Sequence, residues 1–479
     1  MTRKIGIVGM GVSGLAVLLA LAHKKQDQLD HMEIICFDDP DHLGRGIPFQ
    51  EDDDSALINS PIDDISFDYR NMSDFMEWMA ENHYDTSLNY VARSLYGQYM
   101  TEKAEQLMAQ LPVTIVKHQV EAISYLPDKE QWQVKVEGKK DLSSFDEIHL
   151  ACGDLPPIDP YQLEGDAAYI SDPYPIKNLS KEDLSRANVA VIGTGLAAVD
   201  VIKWLLSHTK ASIKAFSRSN YFPTVRILDG TPLHWQFFTE ENLEKYLAQA
   251  RKSFDLSTFE ELLLGELSAL GFADWETTTN DYLAAGTEGI KLSLEKAEQI
   301  YHLQQLASRV TNWLTDLWPL MTTSDRQAYQ KKYGRAIVNL RNPMPDVSAK
   351  ILLEAAKEDR LTTIEAVTDI ITKDQGFLLK TKEGSDIAVH YVINATGYQL
   401  TPDNLHKAKP LIQSIIDQRL CQIDEQGGLT ILPETAQVIS PKHGLIPSLY
   451  AHGALINGVI YQNNSTITIQ KMAERAVKD

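Results

Sequence analysis

Lys4–Val8 is a short apolar run rich in isoleucine and valine, and it reads as a strand buried on both faces. A glycine-rich turn follows, then Leu15–His23 with helical character, then a second apolar run, Met32–Phe37, that stops at Asp38-Asp39. Strand, glycine turn, helix, strand, acid is the order of one βαβ unit. The same order is written again later: Val189–Ile192 as strand, Gly193–Ala198 as turn, Val199–Ser207 as helix and Ser212–Phe216 as strand. This second copy ends in Ser217-Arg218 and not in an acid.

A further pattern flanks each copy. Val120–Tyr125 and Trp132–Gly138 alternate as hairpin strands, and Glu147–Gly153 then reads as a buried strand ending in Ala151-Cys152-Gly153. Ala366–Thr372, Phe377–Gly384 and Tyr391–Gly397 repeat it, ending in Ile393-Asn394-Ala395-Thr396-Gly397. Internal duplication of this kind weighs more than any single motif. Between the copies, Glu240–Tyr333 carries leucines, Trp313 and Trp318 at helical spacing; it serves as a cover over a site or as an extra packing layer. Segment 154–186, rich in Pro, Asp and Lys, reads as a crossing between domains.

Composition narrows the function. In 479 residues, 43% hydrophobic and 23% charged, there is ample length for large cores. A net charge of −21, with no Lys/Arg run, argues against nucleic acid and anionic membrane surfaces. The three cysteines, Cys36, Cys152 and Cys421, form no CxxC, which removes dithiol reductase and thiolate–metal chemistry and suits a reducing compartment. The apolar N-terminal run resembles a signal sequence only until Gly6, Gly9, Gly11 and Gly14 are noticed, and no other stretch approaches a membrane span. A soluble cytoplasmic protein is expected.

Gly9-x-Gly11-x-x-Gly14 has the spacing a dinucleotide needs: one glycine for a tight turn, one for backbone approach to a pyrophosphate, one for close helix–strand packing. Asp38, 24 residues after Gly14, stands where an acid accepts ribose hydroxyls. Gly193-x-Gly195-x-x-Ala198 has equally complete surroundings, and Arg218 follows 20 residues later. An arginine there pairs with a 2′-phosphate, so NADP is favoured, with NAD the alternative. Two dinucleotide folds in one acidic chain imply two anionic cofactors, and a flavin with a nicotinamide is the chemically useful pair.

Other residues stay in the background. His149 reads as a satisfied core histidine and Cys152 as a packing residue. His443 and His452 are candidate active-site groups, and Arg341 a candidate contact for an anion. No catalytic residue can be named.

Ala151-Cys152-Gly153 leading into Pro156-Pro157, together with Ile393–Gly397, is similar to the paired turns of two-dinucleotide flavoproteins. Within that class the chain resembles the bacterial FAD/NAD(P)-binding family related to flavin-dependent N-hydroxylating monooxygenases. The matching stretches are Asp38-x-Pro40, Gly44–Phe49, Leu57–Pro61, Arg93–Tyr99, Asp172-Pro173-Tyr174 and Leu449–Gly453. The resemblance implies that Gly9, Gly11, Gly14 and Asp38 hold the ADP half of FAD. It implies too that Arg45, with the Gly44–Phe49 segment, and Asn59 approach the flavin ring, and that Gly153, Gly397 and Gly453 open turns at the cofactors. Gly453 is followed by Ala454, where many FAD enzymes place Asp, and no Phe-x-Gly-x-x-x-His stretch lies between the two glycine motifs.

The expectation is an α/β chain of two Rossmann-type dinucleotide-binding domains with β-hairpin inserts and a helical insertion. Residues 1–155 with 360–479 would form a discontinuous FAD-binding domain, 156–235 with 334–359 the NAD(P)-binding domain, and 236–333 the insertion. The expected activity is an FAD-dependent, NAD(P)H-consuming oxidoreductase, monooxygenase-like, acting on a small-molecule amine or thioether. The rivals are a reductase or dehydrogenase without oxygen insertion, which the missing signature stretch favours, and a non-enzymatic dinucleotide-binding scaffold. The oligomeric state is unreadable.

Overall fold

The computed structural model describes residues 2–139, 143–153, 155–248 and 254–477. The chain divides into two compact units, the first Met1–Asp54, Ser60–Pro156 and Tyr398–Asp479, the second Ser55–Asn59 and Pro157–Gly397.

In the first unit, β1 (Arg3–Val8) lies between β2 (Met32–Phe37) and β4 (Glu147–Leu150), with β3 (Val113–Val116) outside β2 and strand Gly444–Ala451 outside β4, all parallel. Antiparallel Gln437–Ser440 and Ile431–Leu432 complete a seven-stranded sheet. The continuous apolar runs have their cause in this placement: Ile5, Ile7, Ile34, Cys36, Ile148 and Leu150 are fully buried. Helix α1 (Val12–Ala22) is buried from Gly14 through Leu21 and packs against the C-terminal helix Thr466–Val477. Val8 pairs with Phe37 and with Leu150, Phe37 with Val116, and Leu150 with Ala451. Five strands thus end in one row, and the turns after them emerge along one edge.

In the second unit, β5 (Asn188–Ile192) lies between β6 (Ser212–Phe216) and β7 (Tyr391–Asn394), with Leu361–Thr363 and Tyr169–Ile170 at the edges of a parallel five-stranded sheet. Ile192 pairs with Phe216 and with Asn394, so Gly193, Ser217 and Ala395 also leave one edge together. Helix α2 (Leu196–His208) follows the turn.

Each unit carries a small three-stranded antiparallel sheet: Val120–Leu126, Gln131–Val136 and Ser143–Phe145 in the first, Val367–Lys373, Gly376–Thr381 and Asp386–Val389 in the second. The duplication is therefore complete within each unit, which corrects the expected boundaries. Residues 360–397, grouped by sequence with the first domain, belong to the second, because β5 needs β7 beside it as β1 needs β4. The helices after Glu240 are likewise part of the second unit, not a separate body. They are held to the segment following β6: Gln304 Nε2 donates to Thr224 Oγ1 and Val225 O, and buried Glu266 accepts the main-chain N–H groups of Gln236, Phe237 and Phe238.

Candidate cofactor-binding site

The first glycine turn leaves no room for side chains. Gly9 has φ +91°, and a Cβ there would stand 2.6 Å from Cys152 Cα and 2.7 Å from Ala151 O. One on Gly14 would collide with the Gly9 carbonyl, and one on Gly11 would lie 3.0 Å from Gly46 Cα. Gly11 caps α1 in extended conformation, and the first turn of the helix has no acidic residue. Its amides and dipole face outward for an anion. Asp38 at the end of β2 is fixed by accepting the N–H groups of Met10 and Asp39.

Beside it a cleft of about 390 Å³ is lined by Gly9, Asp38, Asp39, Lys117, Gln119 and Cys152 among others. Lys117, after β3, pairs with Asp39 at 2.9 Å and with Asp41 at 3.3 Å. The hydrogen bond from Lys117 holds the Asp39 carboxyl below the usual range. A backbone cradle, a fixed acid and an adjoining cleft suit the pyrophosphate, ribose and base of an ADP moiety.

Arg45 sits in a loop folded onto this turn. Gly44 N–H donates to Met10 O (2.7 Å), Arg45 Nε to Thr101 Oγ1 (2.8 Å), and Arg45 Nη1 lies 3.6 Å from Glu51 Oε1. Gly153 has φ +55°, and a Cβ there would meet only Ala151 O, at 4.0 Å; it follows the strand that presses on Gly9. A Cβ on Gly453, at φ +63°, would collide with Ser13 Oγ in the first turn of α1. These residues and the first turn share one unit. Asn59 does not; it lies in Ser55–Asn59 of the second unit, where Lys203 Nζ donates to Ser55 O (2.6 Å).

The second turn repeats the geometry. Gly193 has φ +116°, and a Cβ would approach Ala395 O to 2.7 Å, as Gly9 meets Ala151. Gly195 faces open space, and Ala198 is fully buried. Gly397, at φ +93°, also faces open space. Arg218 is exposed just past β6.

A second arginine joins it that sequence spacing does not reveal. Arg335 opens helix α3 (Arg335–Arg341) directly after a π-helical turn, Gln330–Gly334. Its Nη2 donates to Thr194 Oγ1 (3.2 Å) and Tyr221 O (3.1 Å). Partial desolvation, then the like charge of Arg218, pushes the Arg335 guanidinium below its usual range. Among the described residues, neither guanidinium is paired with a carboxylate. Arg341, the arginine suggested by sequence, stands at the other end of the same helix.

Glu147 and His149 on β4 and His452, just past Gly444–Ala451, form a buried chain of three ionisable groups. Glu147 Oε1 meets His149 Nε2 at 2.8 Å, and His149 Nδ1 meets His452 Nε2 at 2.9 Å. All three are nearly inaccessible, and Arg3 pairs with Glu147. Burial raises the Glu147 carboxyl, but the hydrogen bond with His149, with the charges of His149 and Arg3, more than reverses this and leaves it lowered. Burial, then His149, holds His452 well below the usual histidine range. His149 is the satisfied core histidine expected. His443 precedes Gly444–Ala451 while His452 follows it, so His443 stands at the opposite end of that strand from Gly453.

His452 gives stability a pH dependence of known sign. Its folded form stays neutral while the unfolded form protonates near pH 6.5, so stability is intact above that pH and falls below it. Between pH 6.5 and 5, a His452→Gln variant is expected to lose less stability than wild type, by about 1.4 kcal/mol per pH unit at most. Urea unfolding at several pH values checks this, and equal slopes would contradict it.

Residues 6–155 match a family model described as FAD-NAD(P)-binding. No curated protein matches the chain by sequence. Solved structures do by fold. An ornithine N-hydroxylase from Kutzneria sp. 744 is 14% identical, with 100% of this chain and 98% of that one covered and a TM-score of 0.57. The cadaverine monooxygenase DfoA of Erwinia amylovora is also 14% identical, with 99% and 93% covered and a TM-score of 0.57. The L-lysine 6-monooxygenase of Pseudomonas syringae is 12% identical, with 99% and 97% covered and a TM-score of 0.58. The chain is thus similar to the FAD-NAD(P)-binding family over residues 6–155 and has the α/β, two-dinucleotide-fold architecture of these monooxygenases.

Proposed function

We propose that the protein is an FAD- and NADPH-dependent oxidoreductase of the monooxygenase type that acts on a small-molecule amine or thioether. The observation that carries this reading is the pair of glycine turns, each bare of side chains and each opening a helix without an acidic first turn, in a chain of net charge −21. Local backbone fields, not net charge, would hold two anionic cofactors. The Kutzneria structure is described with reduced FAD, NADP⁺ and L-ornithine, and the Erwinia structure with FAD, which supports the pairing and the amine class.

FAD would lie with its ADP half on Gly9, Gly11, Gly14 and Asp38, with Arg45 close by. NADPH would lie on Gly193 and Gly195 with its 2′-phosphate toward Arg218 and Arg335. Bound flavin supplies hydride acceptance from the nicotinamide and reaction with dioxygen; the chain supplies binding, orientation and exclusion of water. No helix among the described residues is long and apolar enough to cross a membrane, and the three cysteines are free, in keeping with a cytoplasmic setting.

Anaerobic addition of NADPH to the flavin-loaded protein is expected to bleach the flavin faster than NADH does. In air, ornithine, lysine or cadaverine should then yield a hydroxylated product in step with NADPH consumption. NADPH oxidation giving only hydrogen peroxide with every amine and thioether offered would favour the reductase reading, which the absent Phe-x-Gly-x-x-x-His stretch supports. A protein that takes up no flavin would remove both readings.

A further inference from the structure

Arg335 is carried by one helical rod that changes register along its length. Thr323–Tyr329 is α-helical, Gln330–Gly334 forms a π-helical turn, and Arg335–Arg341 is α-helical again. A π-helical turn holds one residue more than the α-helical turn it replaces, so every residue beyond it is offset by about 100° around the axis. Arg335 owes its direction to that extra residue. Its residue stays exposed while its Nη2 reaches Thr194 Oγ1 at 3.2 Å and Tyr221 O at 3.1 Å, beside the second glycine turn. Relaxation of the wide turn to an α-helix would swing the guanidinium off both oxygens.

A turn of this kind is rare and needs support from outside its own helix. Two adjacent residues of the helix Leu256–Ala269 supply it. Phe259 meets the rings of Tyr329 and Tyr333 edge-on, with ring centres 5.1 and 5.3 Å away, one ring just ahead of the turn and one inside it. Glu260 Oε1 accepts from Lys332 Nζ and from the Tyr333 hydroxyl, both at 2.7 Å. These two hydrogen bonds hold the Glu260 carboxyl below its usual range, so it stands there as a carboxylate. Trp275 packs on the Tyr333 ring at 5.6 Å.

The two donors differ in weight. Lys332 is more than half exposed, and an ion pair so placed adds little. Tyr333 is only 3% exposed, two residues from Arg335, and its charge-assisted hydroxyl bond ties the turn to Glu260.

We propose that Glu260 and Tyr333 are positioning residues for coenzyme choice: they fix the π-helical turn and through it the place of Arg335, and so set the preference for NADPH over NADH. This rests on the nicotinamide reading above.

The test uses the full-length, flavin-loaded protein and calorimetric titration with NADP⁺ and NAD⁺. Tyr333→Phe keeps the ring and its packing and removes the hydroxyl; Glu260→Ala removes the acceptor. Each is expected to weaken NADP⁺ binding about five- to tenfold and to leave NAD⁺ binding unchanged, which also certifies that the variant is folded. Glu260→Gln keeps an acceptor oxygen and should recover most of the loss. In an Arg335→Ala background neither Tyr333→Phe nor Glu260→Ala should weaken NADP⁺ further, because the pair acts through that arginine.

Wild-type NADP⁺ affinity in either Tyr333→Phe or Glu260→Ala would overturn the proposal. So would equal weakening of NADP⁺ and NAD⁺, or a loss as large without Arg335 as with it, since each assigns the cluster to the scaffold. Arg335→Ala that itself binds NADP⁺ like wild type would instead bring down the coenzyme reading, and the proposal with it.

Discussion

Gly14→Ala is expected to give a protein that no longer holds FAD and is less stable by about 2–3 kcal/mol, the upper range for overpacking at a tight site. The added methyl group would run into the carbonyl oxygen of Gly9, which is backbone and cannot rotate aside. Either α1 must move away from β1 or the Gly9 turn must open, and both displace the amides that face the pyrophosphate. Loss of FAD affinity of at least about 100-fold follows if the turn is the principal anion site, since several charge-assisted contacts move together.

Two other glycines separate the causes. Gly138→Ala adds a methyl to open space at φ +71°, so it should cost about 1 kcal/mol of backbone strain and leave FAD affinity alone. Gly195→Ala also meets nothing within the chain, so stability should hold while nicotinamide affinity falls. Thermal unfolding with FAD and NADPH titrations on the three variants checks the set. Gly14→Ala with normal FAD affinity and melting temperature would remove the first turn from the site.

Much of this was legible because the chain writes its pattern twice. The strands and glycine turns could be read from apolar runs that end in special backbone positions, since a buried parallel strand has few other sequence forms. The boundary between units could not. Nothing in Tyr391–Asn394 says which sheet it joins; pairing with β5 decides that, and pairing is a tertiary fact. That Asn59 belongs to the second unit was hidden for a related reason, since the five residues Ser55–Asn59 carry no signal of which core will take Ala56.

Residues missed outright come from remote segments. Lys117 reaches the first cleft from the end of β3, and Arg335 reaches the second turn from a helix 141 residues beyond Thr194. A π-helical turn directly ahead of Arg335 is a register change often found at functional sites, but it leaves no mark in the residue pattern.

Removing Arg335 should discriminate between the nicotinamides. Arg218 and Arg335 approach one another at the second turn although like charges repel, and no carboxylate among the described residues offsets either. Such an arrangement is stabilised by an anion of multiple charge, and the 2′-phosphate of NADPH is one that NADH lacks. Arg335→Ala and Arg218→Ala are each expected to weaken NADPH binding about 10- to 100-fold, the range for losing one charge-assisted contact worth about 1.5–3 kcal/mol.

NADH affinity should change little, so the preference between coenzymes collapses from the NADPH side. The double variant should fall short of the product of the two, because both groups serve one phosphate. Raising ionic strength should weaken NADPH binding in wild type and have less effect in the variants. The half-saturation of anaerobic flavin reduction by each nucleotide measures all of these. Arg335 also braces Thr194 and Tyr221, so a purely structural role is the competing outcome. In that case both nucleotides would weaken together, whereas a loss confined to NADPH places Arg335 on the phosphate.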